Sequence, residues 1–288
     1  MQHLFHHDGE AALAAALGQR PLLAFDFDGT LAPIVAQPDQ ARISQAVSAR
    51  LKALATQLPL AIVTGRTVAD VRGRLGFEPL YIVGNHGAED PRDPAAAAAL
   101  LAALTPVRER LLARQAALAG AGVTVEDKGA SLALHYRLAR QRERARELID
   151  EALSPPDDAW LVFGGKMVVN VVPRSAPDKS AAVHGLVARC GAACAVFAGD
   201  DVNDEPVFES APPHWLTIRV GRSERHSAAR FFLDSPSEMA MLLERMLASL
   251  PALRGRRDVP PMCIASKYTD VSPCPCSCGG GRSGVERT

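Results

Sequence analysis

Between residues 22 and 83 short apolar runs alternate with segments of helical period: LLAFDF (22–27), RISQAVSARLKALATQ (42–57), LAIVTG (60–65), TVADVRGRLG (67–76) and LYIV (80–83). Strands that are apolar throughout and interleaved with helices imply a parallel sheet covered on both faces. The same order returns as DKSAAVHGLVARC (178–190), CAVFAGD (194–200), a short helix after Asp201, WLTIRV (215–220) and SEMAMLLERMLASL (237–250). Residues 21–88 and 175–250 therefore read as one doubly wound α/β domain. Between them, over 89–174, an Ala/Leu-rich helix is followed by strands VTVEDK and SLALHYR, a helix, and strands WLVFG and KMVVNVV. That order predicts an inserted α/β domain with an antiparallel sheet. Residues 1–20 read as an N-terminal segment with His3, His6 and His7 on the surface, and 251–288 as a disordered tail.

Composition narrows the partner. The 288 residues are 48% hydrophobic, enough for two cores, and Lys plus Arg equals Asp plus Glu at 32 each. Such a balance leaves no electrostatic footprint for nucleic acid or an anionic membrane, so the expected partner is a small molecule. No apolar run approaches the roughly eighteen residues of a membrane span, and MQHLFHHDGE has no basic stretch followed by an apolar one, which predicts a cytoplasmic protein. Four of the six cysteines fall in the tail, so no disulfide framework is implied. Cys274, Cys276 and Cys278 have soft-metal chemistry but no second ligand cluster. In RQRERARELIDEAL (140–153) the stripe Ala145, Leu148, Ile149, Ala152 and Leu153 assigns the charges to a solvated face.

Four strand ends carry polar or small residues: DFDGT from Asp26, TGR from Thr64, GNHG from Gly84 and GDDVND through Asp200, Asp201 and Asp204. Ligands of open α/β sheets bind outside these carboxyl ends. Asp26 and Asp28, two residues apart, start on the same side of their strand. At about 4 Å and an effective dielectric near 20 their carboxylates repel by about 4 kcal/mol, or about three pKa units. A bound cation or a proton held on one of the two acids would offset that repulsion. Thr64 and Gly65 precede a helix, where a hydroxyl and backbone N–H groups can face an anion. Lys179 lies in the first turn of a helix, an electrostatically unfavourable place for a lysine unless it has another task. Five acids with one lysine require a multivalent cation. Hard oxygen donors favour Mg²⁺, and no histidine or cysteine lies within these clusters to suggest zinc. DxDG or GDDVND alone would be ordinary turn and capping chemistry; their convergence on separate strand ends is what points to a site.

An aspartate nucleophile, hydroxyl and lysine donors and an acid-bound Mg²⁺ are the parts of phosphoryl transfer through an aspartyl-phosphate. In their order, DFDGT, TGR, Lys179 and GDDVND resemble the four motifs of the haloacid dehalogenase (HAD) superfamily of phosphatases, which implies a Rossmann-like HAD core and makes 89–174 its cap. DFDGTLAPI, GNHGAE, KGASLALHYR, GKMVVNVVPR and GDDVNDE resemble, more narrowly, the signatures of the trehalose-6-phosphate phosphatases, over about residues 22–247. The resemblance implies Asp26 as nucleophile, Asp28 as general acid and base, and Thr64 and Lys179 as phosphate ligands. It implies Mg²⁺ held by Asp26, the carbonyl of Asp28 and Asp200, with Asp201 in support. Gly65, Arg66, His86, Glu89, Lys128, Arg137, Lys166, Asn170 and Glu205 become candidates for the sugar and the cap interface. It further implies a sugar-phosphate substrate and a functional link to a trehalose-6-phosphate synthase. Asn170 stands where many members carry a glutamate, and Val172 where a basic residue is common, so another phosphorylated disaccharide or a glycosyl-glycerate stays open as substrate. A phospho-aspartate signalling module also gathers acids, a hydroxyl and a lysine, but has no use for Asp28 or a cap.

Overall fold

In the computed structural model the described residues are 1–254 except 36, 166 and 223–225. The elements, in chain order, are β1 (Gln2–His3), α1 (His7–Gly18), β2 (Leu22–Phe25), α2 (Gln45–Ala55), β3 (Leu60–Val63), α3 (Val68–Leu75) and β4 (Tyr81–Val83). The inserted segment holds α4 (Pro94–Ala103), α5 (Thr105–Ala113), α6 (Gln115–Gly120), β5 (Thr124–Asp127), β6 (Leu132–His135), α7 (Arg142–Leu153), β7 (Trp160–Gly165) and β8 (Val168–Pro173). The chain then returns through α8 (Lys179–Cys190), β9 (Ala195–Gly199), α9 (Glu205–Ser210), β10 (Leu216–Val220), β11 (Phe231–Leu233) and α10 (Met239–Arg254).

Seven parallel strands in the order β1-β11-β10-β9-β2-β3-β4 make the main sheet. Its strands are apolar throughout because alternate residues feed two cores. Leu23, Phe25, Leu60, Ile62, Val196 and Ile218 pack with residues of α1, α2, α3 and α10 on one face. Leu22, Ala24, Ala61, Val63 and Phe197 pack with Val183 and Leu186 of α8 and Val207 and Phe208 of α9 on the other. The helices are punctuated locally. Ser44, Thr67 and Asp178 accept N–H groups at the starts of α2, α3 and α8, while Gly76 and Gly191 end α3 and α8 in the left-handed region.

The inserted sheet is antiparallel, in the order β5-β6-β8-β7. One face, with Leu132, Leu134, Val169 and Val171, packs on α5, α6 and α7. Across the opposite face Glu126, Ala133, Asn170 and Phe163 stand in one register row. The Ala/Leu-rich stretch forms three helices rather than one. Pro106 opens α5, since a residue without an N–H belongs in a first turn and not in a helix interior.

Two further strands lie outside the sequence reading. β1 and β11 are two and three residues long, too short to show a period, and they pair with each other at the edge of the main sheet. Residues 2–18 thus contribute an edge strand to the main sheet and a helix packed on it. His3 is consequently not a surface residue: its ring is largely covered, bonds Glu238 Oε2 at 3.1 Å and packs edge-on against Phe5 and Phe232. His6 and His7 are exposed. The expected disordered tail does not begin at residue 251, because 251–254 continue α10; residues 255–288, with the three closely spaced cysteines, lie outside the described residues, and no described helix is long and apolar enough to cross a membrane.

Candidate active site

Strands β9, β2, β3 and β4 are neighbours and run parallel, so their carboxyl ends bring Asp200, Asp26, Thr64 and Gly84 to one edge. There the chain turns at Gly29, whose φ of 83° suits glycine, and where any Cβ would strike the Asp200 carboxylate. The first turn of the core is thereby pressed against the loop after β9.

The repulsion between Asp26 and Asp28 is met by two basic side chains. Lys179 Nζ donates to Asp26 Oδ1 at 2.7 Å and to Asp204 Oδ1 at 2.7 Å, and all three groups are buried. Arg66 takes Asp28 in a bidentate grip, Nε to Oδ2 at 2.6 Å and Nη2 to Oδ1 at 2.7 Å, and donates Nη1 to Asp70 at 2.7 Å. This is why a lysine opens α8 despite the dipole: its side chain runs to the acids. Burial would lower the Lys179 pKa, but Asp204 and Asp26 more than reverse this and hold it charged. One lysine shared by two carboxylates cannot fully offset both. Burial therefore pushes Asp26 up to about 7, with Lys179 pulling it down and Asp204 and Asp28 pushing it up. Asp204, by contrast, is saturated. Its Oδ1 has the lysine, and its Oδ2 accepts the N–H groups of Asp200 (2.9 Å) and Asp201 (3.0 Å).

Oxygens of Asp26, Asp200 and Asp204 lie within 4.8 Å of one another, a hard-donor set that fits Mg²⁺ and offers nothing to a soft metal. Both Asp204 oxygens are engaged by hydrogen bonds. Asp201 stands outside this cluster. Its carboxylate accepts the Val202 N–H at 2.8 Å and caps the turn at 202–204.

Thr64 is fully buried just past β3, and its hydroxyl accepts the Arg66 N–H at 3.2 Å. Gly65 has to be small, because the His86 ring occupies the space a Cβ would need. His86 has a left-handed backbone (φ 58°), packs edge-on against Phe163 of β7, and is held by burial, Lys179 and Lys128 near a pKa of about 3, hence neutral. Glu89, its pKa raised by burial, accepts the Val68 N–H and the Asn85 amide at 3.0 and 2.9 Å rather than facing a cavity. Lys128, just past β5 of the inserted segment, extends to the Gly65 carbonyl at 3.3 Å. Asn85, not singled out in the sequence, is the other link: it donates to Glu89 and the Lys128 carbonyl and accepts from Ser131 Oγ at 2.8 Å. Asn170 is 8% exposed, on the face of the inserted sheet opposite its core, while Arg137 is exposed in the turn after β6. Lys166 lies outside the described residues. Glu205 pairs with Arg219 at 2.6 Å.

A cavity of about 800 Å³ opens between Gly29, Asp200 and Asp201 on the core and Gly164 and Gly165 at the end of β7. Pro33, Ile34, Arg219, Arg222 and Pro236 also line it, and none of these was picked out from the sequence. Arg219 left a signal there, as the single charge inside the apolar run WLTIRV.

The parallel sheet with its helices and the separate antiparallel sheet make a haloacid dehalogenase-like fold. The crystal structure of a haloacid dehalogenase-like hydrolase from Bacteroides thetaiotaomicron superposes with a TM-score of 0.54 at 15% identity, over 78% of this chain and 99% of that one, a likeness of fold. Within that fold the chain belongs to the trehalose-phosphatase family, whose model matches residues 24–237. It is 34% identical over 252 residues to the trehalose-phosphate phosphatase of Mycobacterium marinum, covering 81% of this chain and 63% of that protein. The trehalose-6-phosphate phosphatase C-terminal domain of C. albicans shares the fold with a TM-score of 0.63 at 20% identity, over 83% of this chain and 96% of that one. The chain thus spans somewhat under two thirds of the length of the mycobacterial relative.

Proposed function

We propose that this chain is a Mg²⁺-dependent phosphatase that hydrolyses trehalose 6-phosphate to trehalose and phosphate through an aspartyl-phosphate on Asp26. The observation that carries this reading is the buried Asp26, 2.7 Å from Lys179 and with a carboxylate oxygen within 4.8 Å of one of Asp200, which lines the cavity. In the first step an Asp26 oxygen attacks phosphorus, the bond from phosphorus to the sugar oxygen breaks, and Asp28 gives its proton to the leaving alkoxide. In the second, Asp28 takes a proton from water as the water oxygen attacks phosphorus, which releases phosphate and restores the Asp26 carboxylate. Asp28 must first turn away from Arg66, which engages both its oxygens, and take up a proton from solvent. Lys179 and the Thr64 hydroxyl neutralise and orient the phosphoryl oxygens. Bound Mg²⁺, held by Asp26, the Asp28 carbonyl and Asp200, supplies positive charge that favours the ionised nucleophile.

In this reading residues 89–174 are a cap whose sheet face, with Asn170, meets the sugar, and Lys128 joins it to the core. The enzyme works in the cytoplasm and draws its substrate from a trehalose-6-phosphate synthase. The buried, uncharged Asn170 favours a second reading, with the same chemistry on another phosphorylated disaccharide or a glycosyl-glycerate phosphate. Phosphate release should be followed across trehalose, sucrose, glucose and glycosyl-glycerate phosphates, with Mg²⁺ and with EDTA. The first reading expects kcat/KM for trehalose 6-phosphate to exceed that for glucose 6-phosphate at least about a hundredfold, or about 2.7 kcal/mol. A different preferred substrate would replace it with the second.

A further inference from the structure

An arginine in the middle of a parallel sheet calls for a reason. In β10, Leu216, Ile218 and Val220 supply one core, and Arg219 turns to the opposite side, where it is 6% exposed. A buried guanidinium is costly unless its donors are matched. Arg219 Nη1 meets Glu205 Oε1 at 2.6 Å, and Nη2 donates to the main-chain carbonyl of Asp200 at 3.1 Å. The second oxygen of Glu205 accepts the Ala228 N–H at 3.0 Å, which fixes the carboxylate that fixes the arginine.

The acceptor on the loop is Asp200 itself, whose N–H is already held by Asp204 Oδ2 at 2.9 Å. Asp200 is thus gripped through its N–H by Asp204 and through its carbonyl by Arg219. Its carboxylate is left against Gly29, within 4.8 Å of oxygens of Asp26 and Asp204. We propose that Arg219 is a positioning residue for divalent-cation binding: with its charge balanced by Glu205, it fixes the Asp200 main chain so that the Asp200 carboxylate meets the cation beside Asp26. The proposal rests on the reading of this site as that of a Mg²⁺-dependent phosphatase. Without Arg219 the Asp200 carbonyl loses its donor, and the carboxylate must be ordered at the expense of cation affinity. A lysine has one ammonium and no fork, so it can keep Glu205 or Asp200 in place but not both with the same geometry.

The test is Mg²⁺ binding by isothermal titration calorimetry to the full chain without substrate, for wild type, Arg219→Met and Arg219→Lys. Each protein is also assayed for phosphate release from trehalose 6-phosphate over a range of Mg²⁺ concentrations. Outer hydrogen-bond partners of metal ligands typically contribute about 10- to 100-fold in affinity. Arg219→Met is therefore expected to bind Mg²⁺ at least about tenfold more weakly, with Arg219→Lys between it and wild type. The deficit in kcat should shrink as Mg²⁺ is raised. Arg219→Lys retains the charge and guards against a folding failure in the methionine variant. A purely structural arginine would lower the melting temperature and kcat at every Mg²⁺ concentration while leaving Mg²⁺ affinity unchanged, and that result would overturn the proposal. A wild type that neither binds nor needs Mg²⁺ would overturn the phosphatase reading and this inference together. Wild-type binding matched by Arg219→Met would remove this inference alone.

Discussion

Lys179→Met removes the ammonium that Asp26 and Asp204 share at 2.7 Å. Breaking a buried ion pair by deleting one partner costs about 3–5 kcal/mol, a large part of the roughly 5–15 kcal/mol by which a domain is stable. The cost should depend on pH, because Asp26 can escape by taking a proton. In the wild type its folded pKa of about 7 lies above the ordinary value of 3.8. Its contribution to stability is therefore fully present below about pH 4 and lost as pH rises to about 7, after which it is constant. Without the lysine the Asp26 pKa climbs further, and stability continues to fall at about 1.4 kcal/mol per pH unit beyond pH 7. The variant should thus be destabilised by about 2 kcal/mol more at pH 8.5 than at pH 5.5, from the additional 1.5 units over which only it still carries the proton. Urea unfolding at both pH values, in EDTA so that no cation replaces the lysine, measures this directly. A loss below about 1 kcal/mol at pH 8.5, or the same loss at both, would show that Lys179 does not hold these carboxylates.

Asp26→Asn keeps the shape and removes the attacking oxyanion, so phosphate release should vanish while the far-ultraviolet circular dichroism is retained; turnover like wild type would refute the nucleophile. In the wild type, Mg²⁺ must displace the Asp26 proton below about pH 7, so its apparent affinity should fall about tenfold from pH 8 to pH 6, a dependence that calorimetry should find abolished in Asp26→Asn. Asn85→Ala should lose about 2–4 kcal/mol, since three hydrogen bonds are broken and a φ of 49° is retained, and Asn85→Gly should lose about 1 kcal/mol less by relieving that backbone. Equal losses from the two variants in denaturant titrations would show that the left-handed backbone stores no strain.

The parallel core and the antiparallel sheet between its halves were legible in the sequence. Each follows from local rules. Apolar strands that alternate with helices must cross over in one direction, and that places DFDGT, TGR, GNHG and GDDVND at the same end of the sheet. Family membership was legible for a related reason, since the motifs are contiguous and occur in order. What each charged group faces was decided by the tertiary structure. Asp201 and Asp204 are equivalent in the string GDDVND, yet Asp204 receives Lys179 and two N–H groups while Asp201 caps a turn. Asp28 and Arg66 are 38 residues apart, and Arg219 reaches Asp200 from the neighbouring strand. The N-terminal strand finds its partner 229 residues along the chain, Gln2 beside Phe231. Periodicity records which face of an element is buried. It carries no record of which distant donor arrives there, because burying a charge leaves the choice of partner to whichever segments the fold brings within about 3 Å.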